Sequence, residues 1–196
     1  MHQYYLFYKP FQVLSTFTTS DGKQCLRDYI HVDKDVYAAG RLDYDSEGLL
    51  LLTNDGALMH QLLDPAFHHS RTYYVQVEGV PDEVALQSLR SGVDIRVDGK
   101  VYHTLPAKVV AISEPANLPD RNPPIRFRKT IPASWLSITL QEGKNRQVRK
   151  MTAAVGYPTL RLIRWSIENI TVDQLQPGQL KEISRNTLLK KLLMQP

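Results

Sequence analysis

Apolar and polar residues alternate in two rhythms along the chain, and the change of rhythm marks out its elements. Tyr4–Lys9 alternates aromatic residues and predicts a strand, ended by Pro10. Lys23–Ile30 predicts a short helix. Leu49–Thr53 is apolar on both faces and predicts a fully buried strand, after which Asn54 caps a helix to Leu63 with Asp55 in its first turn. Thr72–Glu78 has a period of two: Tyr73, Val75 and Val77 on one face, Tyr74, Gln76 and Glu78 on the other. Pro81 opens a helix with Asp82 and Glu83 in its first turn, and Gly92 closes it. Further strands are expected over Ala107–Ile112, Trp135–Leu140 and Leu160–Trp165, and a helix over Asn145–Val155, stopped by Gly156 and Pro158. Asp120–Pro132 reads as a long loop, and Arg185–Pro196 as a basic amphipathic helix.

Strands and short helices mix without a regular βαβ rhythm, which points to an α+β fold with a mixed, mostly antiparallel sheet. The chain of 196 residues is long enough for one generous domain or two small interlocked ones. Its longest aliphatic run, Leu49–Leu52, is far too short to span a bilayer, and the N-terminus carries no secretory pattern. The single cysteine, Cys25, excludes an internal disulfide and a cysteine-rich metal site. A cytoplasmic protein, without membrane association, is the default expectation.

Charge changes the picture by its distribution rather than its total of +4. Between Arg121 and Ser166 stand ten basic residues: Arg121, Arg126, Arg128, Lys129, Lys144, Arg146, Arg149, Lys150, Arg161 and Arg164. Glu142 is the only acid there, so the stretch carries +9, while the remaining 14 bases and 19 acids leave −5 elsewhere. A segment so polarised attracts a polyanion. Seven of the ten are arginine, whose planar guanidinium suits phosphates and stacked bases. A merely solvated basic surface would produce the same composition.

The usual cofactor patterns are missing. No GxGxxG follows a strand. Gly99-Lys100 mimics the end of a P-loop, but Val101 stands where Ser or Thr is needed. The scattered histidines, with one adjacent pair at His68-His69, have no zinc-like spacing. No cofactor and no metal are expected. The densest constellation is Gly40–Gly56, where Arg41, Asp43, Asp45, Ser46 and Glu47 precede the buried leucine run. A carboxylate there is held at the edge of a core, where a nucleophile or general base is useful. Asp43 and Asp45 share a face if the segment is extended. A turn whose Asp and Ser side chains satisfy backbone donors is the plainer alternative.

Gly40–Gly56 resembles the signature of the RsuA/RluB/RluE/RluF family of pseudouridine synthases. Three further blocks match in order. Phe7-Tyr8-Lys9-Pro10 resembles the opening Lys-Pro motif, and Arg71–Val75 the Lys-x-Tyr-x-Val strand, with Arg for Lys. Glu142–Met151 with Arg161–Arg164 resembles the closing block. The start at the first motif, without room for an N-terminal S4 module, and the stretch from Asn122 to Trp135 resemble the RluE branch, which acts on one uridine of 23S ribosomal RNA.

The resemblance implies a pseudouridine synthase core over residues 1–183, in two subdomains divided near residue 66, with a cleft between the halves and a tail at 184–196. It implies Asp43 as the catalytic nucleophile, Arg149 as its salt-bridge partner and Tyr73 as the active-site tyrosine stacked on the target base. A nucleophilic carboxylate in a dry pocket must stay ionised, so an opposing cation is a physical need. Arg41 is implied to hold RNA with the base extruded, and extrusion is required because uracil is out of reach inside a helix. Arg146 and Arg149, three apart on a helix, point to similar sides, with Val148, Met151 and Val155 as the neighbouring buried stripe. Arg146, Lys150, Arg164, Arg126, Arg128 and Lys129 are candidates for RNA contact. Lys9 lines the cleft or supports the fold, and Asp45 is structural. The expected partner is 23S ribosomal RNA or a large-subunit precursor, met by a monomer. Two rivals remain: a glycosidase using Asp43 and Glu47 as paired acids, which leaves the basic segment unexplained, and a non-catalytic RNA-binding ribosome assembly factor, which has no need of Asp43.

Overall fold

The computed structural model describes residues 1–125 and 131–194. In chain order its elements are β1 (Tyr4–Lys9), β2 (Tyr37–Ala38), β3 (Glu47–Thr53), α1 (Gly56–Leu63), β4 (Arg71–Glu78), α2 (Glu83–Ser91), β5 (Asp94–Val97), β6 (Lys100–His103), β7 (Lys108–Ile112), β8 (Ala133–Leu140), α3 (Gln147–Ala154), β9 (Thr159–Ile167), β10 (Ile170–Thr171), β11 (Leu180–Glu182) and α4 (Arg185–Lys191). They form two compact units: Met1–His69 with Ile163–Pro196, and Ser70–Leu162. The chain therefore leaves the first unit after His69 and returns to it within β9.

In the first unit β1 lies between β11 and β3, antiparallel to both. Every residue of β3 is buried, as its unbroken apolar run requires. β3 takes β2 antiparallel, and β9 parallel through Glu47↔Ile163 and Gly48↔Arg164. Phe7, Leu26, Ile30, Val36, Leu50 and Leu52 form the core on this sheet. The helix after β3 is capped by Asp55 rather than Asn54. Asp55 accepts a hydrogen bond from the Leu58 amide at 3.1 Å, while Asn54 is occupied by the Gln3 amide and the Asp35 carboxylate. The helix expected over Lys23–Ile30 shrinks to one 3-10 turn, Leu26–Asp28, in which the Asp28 carboxylate reaches back to the Cys25 amide at 2.8 Å. Ser184 caps α4, which buries Leu188 and Leu189.

In the second unit β4, β8 and β7 form an antiparallel sheet, with β8 in the middle. The period-two pattern of β4 is realised, with Val75 and Val77 fully buried. α2 has Asp82 as its cap and ends at Gly92. β5 and β6 pair as a hairpin around Asp98-Gly99, an element that no strand expectation covered. Apolar residues of both helices and of the sheet share one core, including Leu86, Leu89, Leu136, Ile138, Val148 and Met151. Of the strand pairings named above, β3–β9 is parallel and the others antiparallel, and the fold is α+β with a mixed, mostly antiparallel sheet.

Candidate active site

Asp43 stands four residues before β3, and the chain between them is a turn rather than an extended segment. The Ser46 amide donates to the Asp43 carbonyl at 3.0 Å, which closes the turn and places Tyr44 and Asp45 at its tip. Asp43 and Asp45 therefore do not share a strand face. Two fastenings hold the turn against the segment that follows β1. The Gln12 amide donates to the Tyr44 carbonyl at 2.8 Å. The buried Ser15 hydroxyl brackets Leu42 from both sides, donating to its carbonyl at 2.9 Å and accepting from its amide at 3.0 Å. The side chain of Asp43 is left half-buried, with the backbone on each side of it fixed.

Beneath this turn lies a buried cation. Lys9, at the end of β1, has 0% exposure, and its Nζ donates to the Pro10 carbonyl at 2.9 Å and the Val13 carbonyl at 2.6 Å. Burial pulls its ammonium down to about 7, while the nearby carboxylates of Glu47, Asp45 and Asp43 oppose that shift and the Arg164 guanidinium adds to it. Lys9 therefore supports the site from below. Arg164 is 4% exposed, and its Nε donates to the Leu49 carbonyl at 2.7 Å. That burial leaves little of Arg164 to meet a phosphate. Its strand approaches β3 where only glycine fits: a Cβ on Gly48 would lie 2.4 Å from the Arg164 carbonyl oxygen, at φ +105°. The charges of Glu47 and Arg164, on these two strands, both act on Lys9. Arg41, by contrast, is exposed.

Tyr73 and Arg149 belong to the second unit. Tyr73, on β4 opposite Ile138, is partly buried against the core that also holds Val148 and Met151 of α3. Arg149 and Lys150 lie on α3, both half-exposed. Arg146 differs from expectation: α3 begins at Gln147, and Arg146 precedes it in the left-handed conformation, at φ 53°. It is exposed and does not continue the helical face of Arg149. Val148 and Met151 are buried, with Val155 packed beside them. Of the other basic residues, Arg161 is buried and donates to the Pro119 carbonyl at 2.7 Å, and Arg121 donates to the carbonyls of Pro123 and Pro124. Arg126, Arg128 and Lys129 lie outside the described residues.

A half-buried carboxylate on a pinned turn, with a buried lysine of lowered pKa underneath, is equipped for nucleophilic or general-base chemistry at one oxygen. Among the described residues no group of three or more His, Cys, Asp or Glu side chains is gathered to hold a metal, and no helix is long and apolar enough to cross a membrane.

Comparison with known proteins decides the class. Residues 3–154 match the model of the RNA pseudouridylate synthase family. The chain belongs to that family. It is an RNA pseudouridine synthase, an isomerase, and a purely RNA-binding role is set aside. Ribosomal large subunit pseudouridine synthase E of Vibrio parahaemolyticus is 57% identical over 91% of this chain and 72% of its own length. The protein of the same name from Xanthomonas axonopodis pv. citri is 51% identical over 86% of this chain and 87% of its own. A crystal structure of a pseudouridylate synthase matches with a TM-score of 0.78 at 26% identity, covering 98% of this synthase and 74% of that chain.

Two supports of the site escaped sequence reasoning. Ser15 and Gln12 act through backbone groups that lie 27 and 32 positions away, and nothing in their own neighbourhood marks them. Glu142, which the second unit buries among polar partners, did leave a trace as the one acid in a strongly basic stretch.

Proposed function

We propose that this enzyme isomerises one uridine of 23S ribosomal RNA, free or in a large-subunit precursor, in the cytoplasm and as a monomer. The names of the relatives support the substrate, and the observation that carries the catalytic reading is the fastened turn bearing Asp43 over the buried Lys9.

In the reaction the N1–C1′ bond of uridine breaks, the base turns, C5 bonds to C1′, the C5 proton leaves for solvent, and N1 takes up a proton in its place. Asp43 acts on the extruded nucleotide, either adding to sugar or base or removing the C2′ proton. Tyr73 stacks on the uracil and serves the proton transfer at C5. Arg149 supplies the guanidinium that keeps Asp43 ionised. Arg41, Arg146 and Lys150 contact the RNA backbone, with Arg126, Arg128 and Lys129 adding to the grip. Arg164 serves from within, around Lys9. The bonds exchanged are similar in energy, so acid–base groups suffice without a cofactor. We place the catalytic domain over residues 1–183 and treat 184–196 as its appendage.

The test uses transcripts of large- and small-subunit ribosomal RNA tritiated at uracil C5. Release of tritium from the large-subunit transcript alone is the expected result. Release from the small-subunit transcript alone would overturn the substrate assignment, release from neither would overturn activity on free RNA, and release from neither transcript nor from labelled large-subunit precursor particles would overturn the substrate.

A further inference from the structure

Ahead of α3 the second unit builds a rigid basic turn around a buried acid. The Glu142 carboxylate, 9% exposed, receives the Tyr102 hydroxyl at 2.5 Å, the Leu105 amide at 2.8 Å and the Gln147 side-chain amide at 2.5 Å. Its pull keeps Tyr102 protonated by raising the pKa of the phenol, so the hydroxyl stays a donor. Gln147, itself 4% exposed, faces both ways: its side-chain oxygen accepts from the Lys144 amide at 2.9 Å, and its own amide donates to the Lys144 carbonyl at 3.1 Å. The intervening residues are thereby closed into a small loop, and Arg146 is turned outward in the left-handed conformation. The Lys144 ammonium sits over the Tyr102 ring at 4.7 Å from its centroid. Lys144 and Arg146 are exposed, and Lys150 follows on the first turns of α3, its Nζ 3.3 Å from the Asn145 side-chain oxygen.

An acid in a basic stretch would ordinarily weaken its pull on a polyanion. Here the acid is sunk beneath the turn and spends its charge on three internal donors. Lys144 and Arg146 stay exposed on a backbone whose conformation the buried residues fix. Holding cations in place before binding removes the side-chain and loop entropy that a phosphate contact otherwise costs.

We propose that Glu142, Tyr102 and Gln147 are positioning residues that set the Lys144–Arg146 turn as a phosphate clamp on the substrate RNA. Lys144 joins Arg146 and Lys150 as a binding residue, and the β5–β6 hairpin has the task of carrying Tyr102. The clamp rests on the reading of this protein as an enzyme acting on RNA.

The experiment uses the full chain and one fluorescent RNA transcript, with dissociation constants measured across a series of salt concentrations and tritium release measured on the same sequence. Replacing both Lys144 and Arg146 by Ala should lower the slope of log Kd against log salt by about 1.4 to 1.8, since each lost phosphate contact removes roughly 0.7 to 0.9. Tyr102→Phe keeps the ring under Lys144 and removes only the hydroxyl. It should raise Kd about three- to tenfold, with the loss appearing in KM rather than kcat. Glu142→Gln should behave alike, and if it fails to melt cooperatively, Tyr102→Phe decides. A wild-type Kd and slope in Tyr102→Phe, or an unchanged slope in the double variant, would overturn the clamp. A Tyr102→Phe that melts earlier but binds normally would also overturn it, because its role is then structural. The nucleophile is read separately: Asp43→Asn that still releases tritium while the clamp variants lose their slope would refute Asp43 and leave the clamp standing.

Discussion

Lys9→Met isolates the cost of the cation buried under the candidate nucleophile. The lysine is held at a pKa of about 7 in the folded protein, against 10.5 ordinarily, chiefly because burial strips its water. Below pH 7 both folded and unfolded chains carry the proton, and folding bears the full penalty of a desolvated ammonium. Between pH 7 and 10.5 the unfolded chain keeps its proton while the folded one releases it. Stability then rises with pH, by up to about 1.4 kcal/mol per pH unit. Over the whole window the gain is on the order of 5 kcal/mol, and from pH 6.5 to 9 roughly 2 to 3 kcal/mol. Methionine has a similar length and no titrating group. The variant leaves the Pro10 and Val13 carbonyls without their donor, a cost that does not depend on pH. Tyr4, Tyr5, Tyr29 and Tyr102 have raised pKa values, but all titrate above this range and are common to both proteins. Urea unfolding followed by tryptophan fluorescence at several pH values gives both curves. The wild-type stability should climb relative to the variant as pH rises. Parallel curves between pH 6.5 and 9 would refute the buried, proton-releasing lysine.

Gly48→Ala drives a Cβ to 2.4 Å from the Arg164 carbonyl oxygen and 2.8 Å from its amide nitrogen, in a backbone conformation that alanine resists. It should destabilise by about 3 kcal/mol or more and lower Tm by roughly 6 °C or more in calorimetry; a melt within 2 °C of wild type, as an order-of-magnitude limit, would contradict the close β3–β9 approach. Ser15→Ala removes both hydrogen bonds to Leu42 and should cost about 1 to 3 kcal/mol in stability. Its single-turnover rate should fall, with RNA affinity retained, and Ser15→Thr, which keeps the hydroxyl, should recover most of the rate. Equal rates in wild type and Ser15→Ala would separate the Ser15 bracket from catalysis.

How much could be seen in the chain beforehand depended on the range of the forces involved. β1, β3 and β4 were legible because burial on a pleated surface imposes a local rhythm, unbroken in β3 and period-two in β4. α2 was legible because its cap, its acidic first turn and its closing glycine sit within a dozen residues. The β5–β6 hairpin was missed although Asp98-Gly99 is a hairpin turn signal, since its strands are short and largely exposed. The start of α3 was placed at Asn145 because periodicity cannot reveal that Gln147 bonds back to Lys144 and forces Arg146 into a left-handed conformation. The segment carrying Asp43 stood out by composition and resemblance. Its shape did not, because the turn is fixed by Gln12 and Ser15, and the charge on Lys9 is set by residues more than thirty positions away.

The most direct measurement is tritium release from C5-labelled ribosomal RNA by Asp43→Asn, paired with its RNA affinity. The substitution keeps size and shape and removes the negative oxygen, while backbone phosphates dominate binding. The account predicts no release above background with affinity close to wild type. Release at the wild-type rate would contradict it.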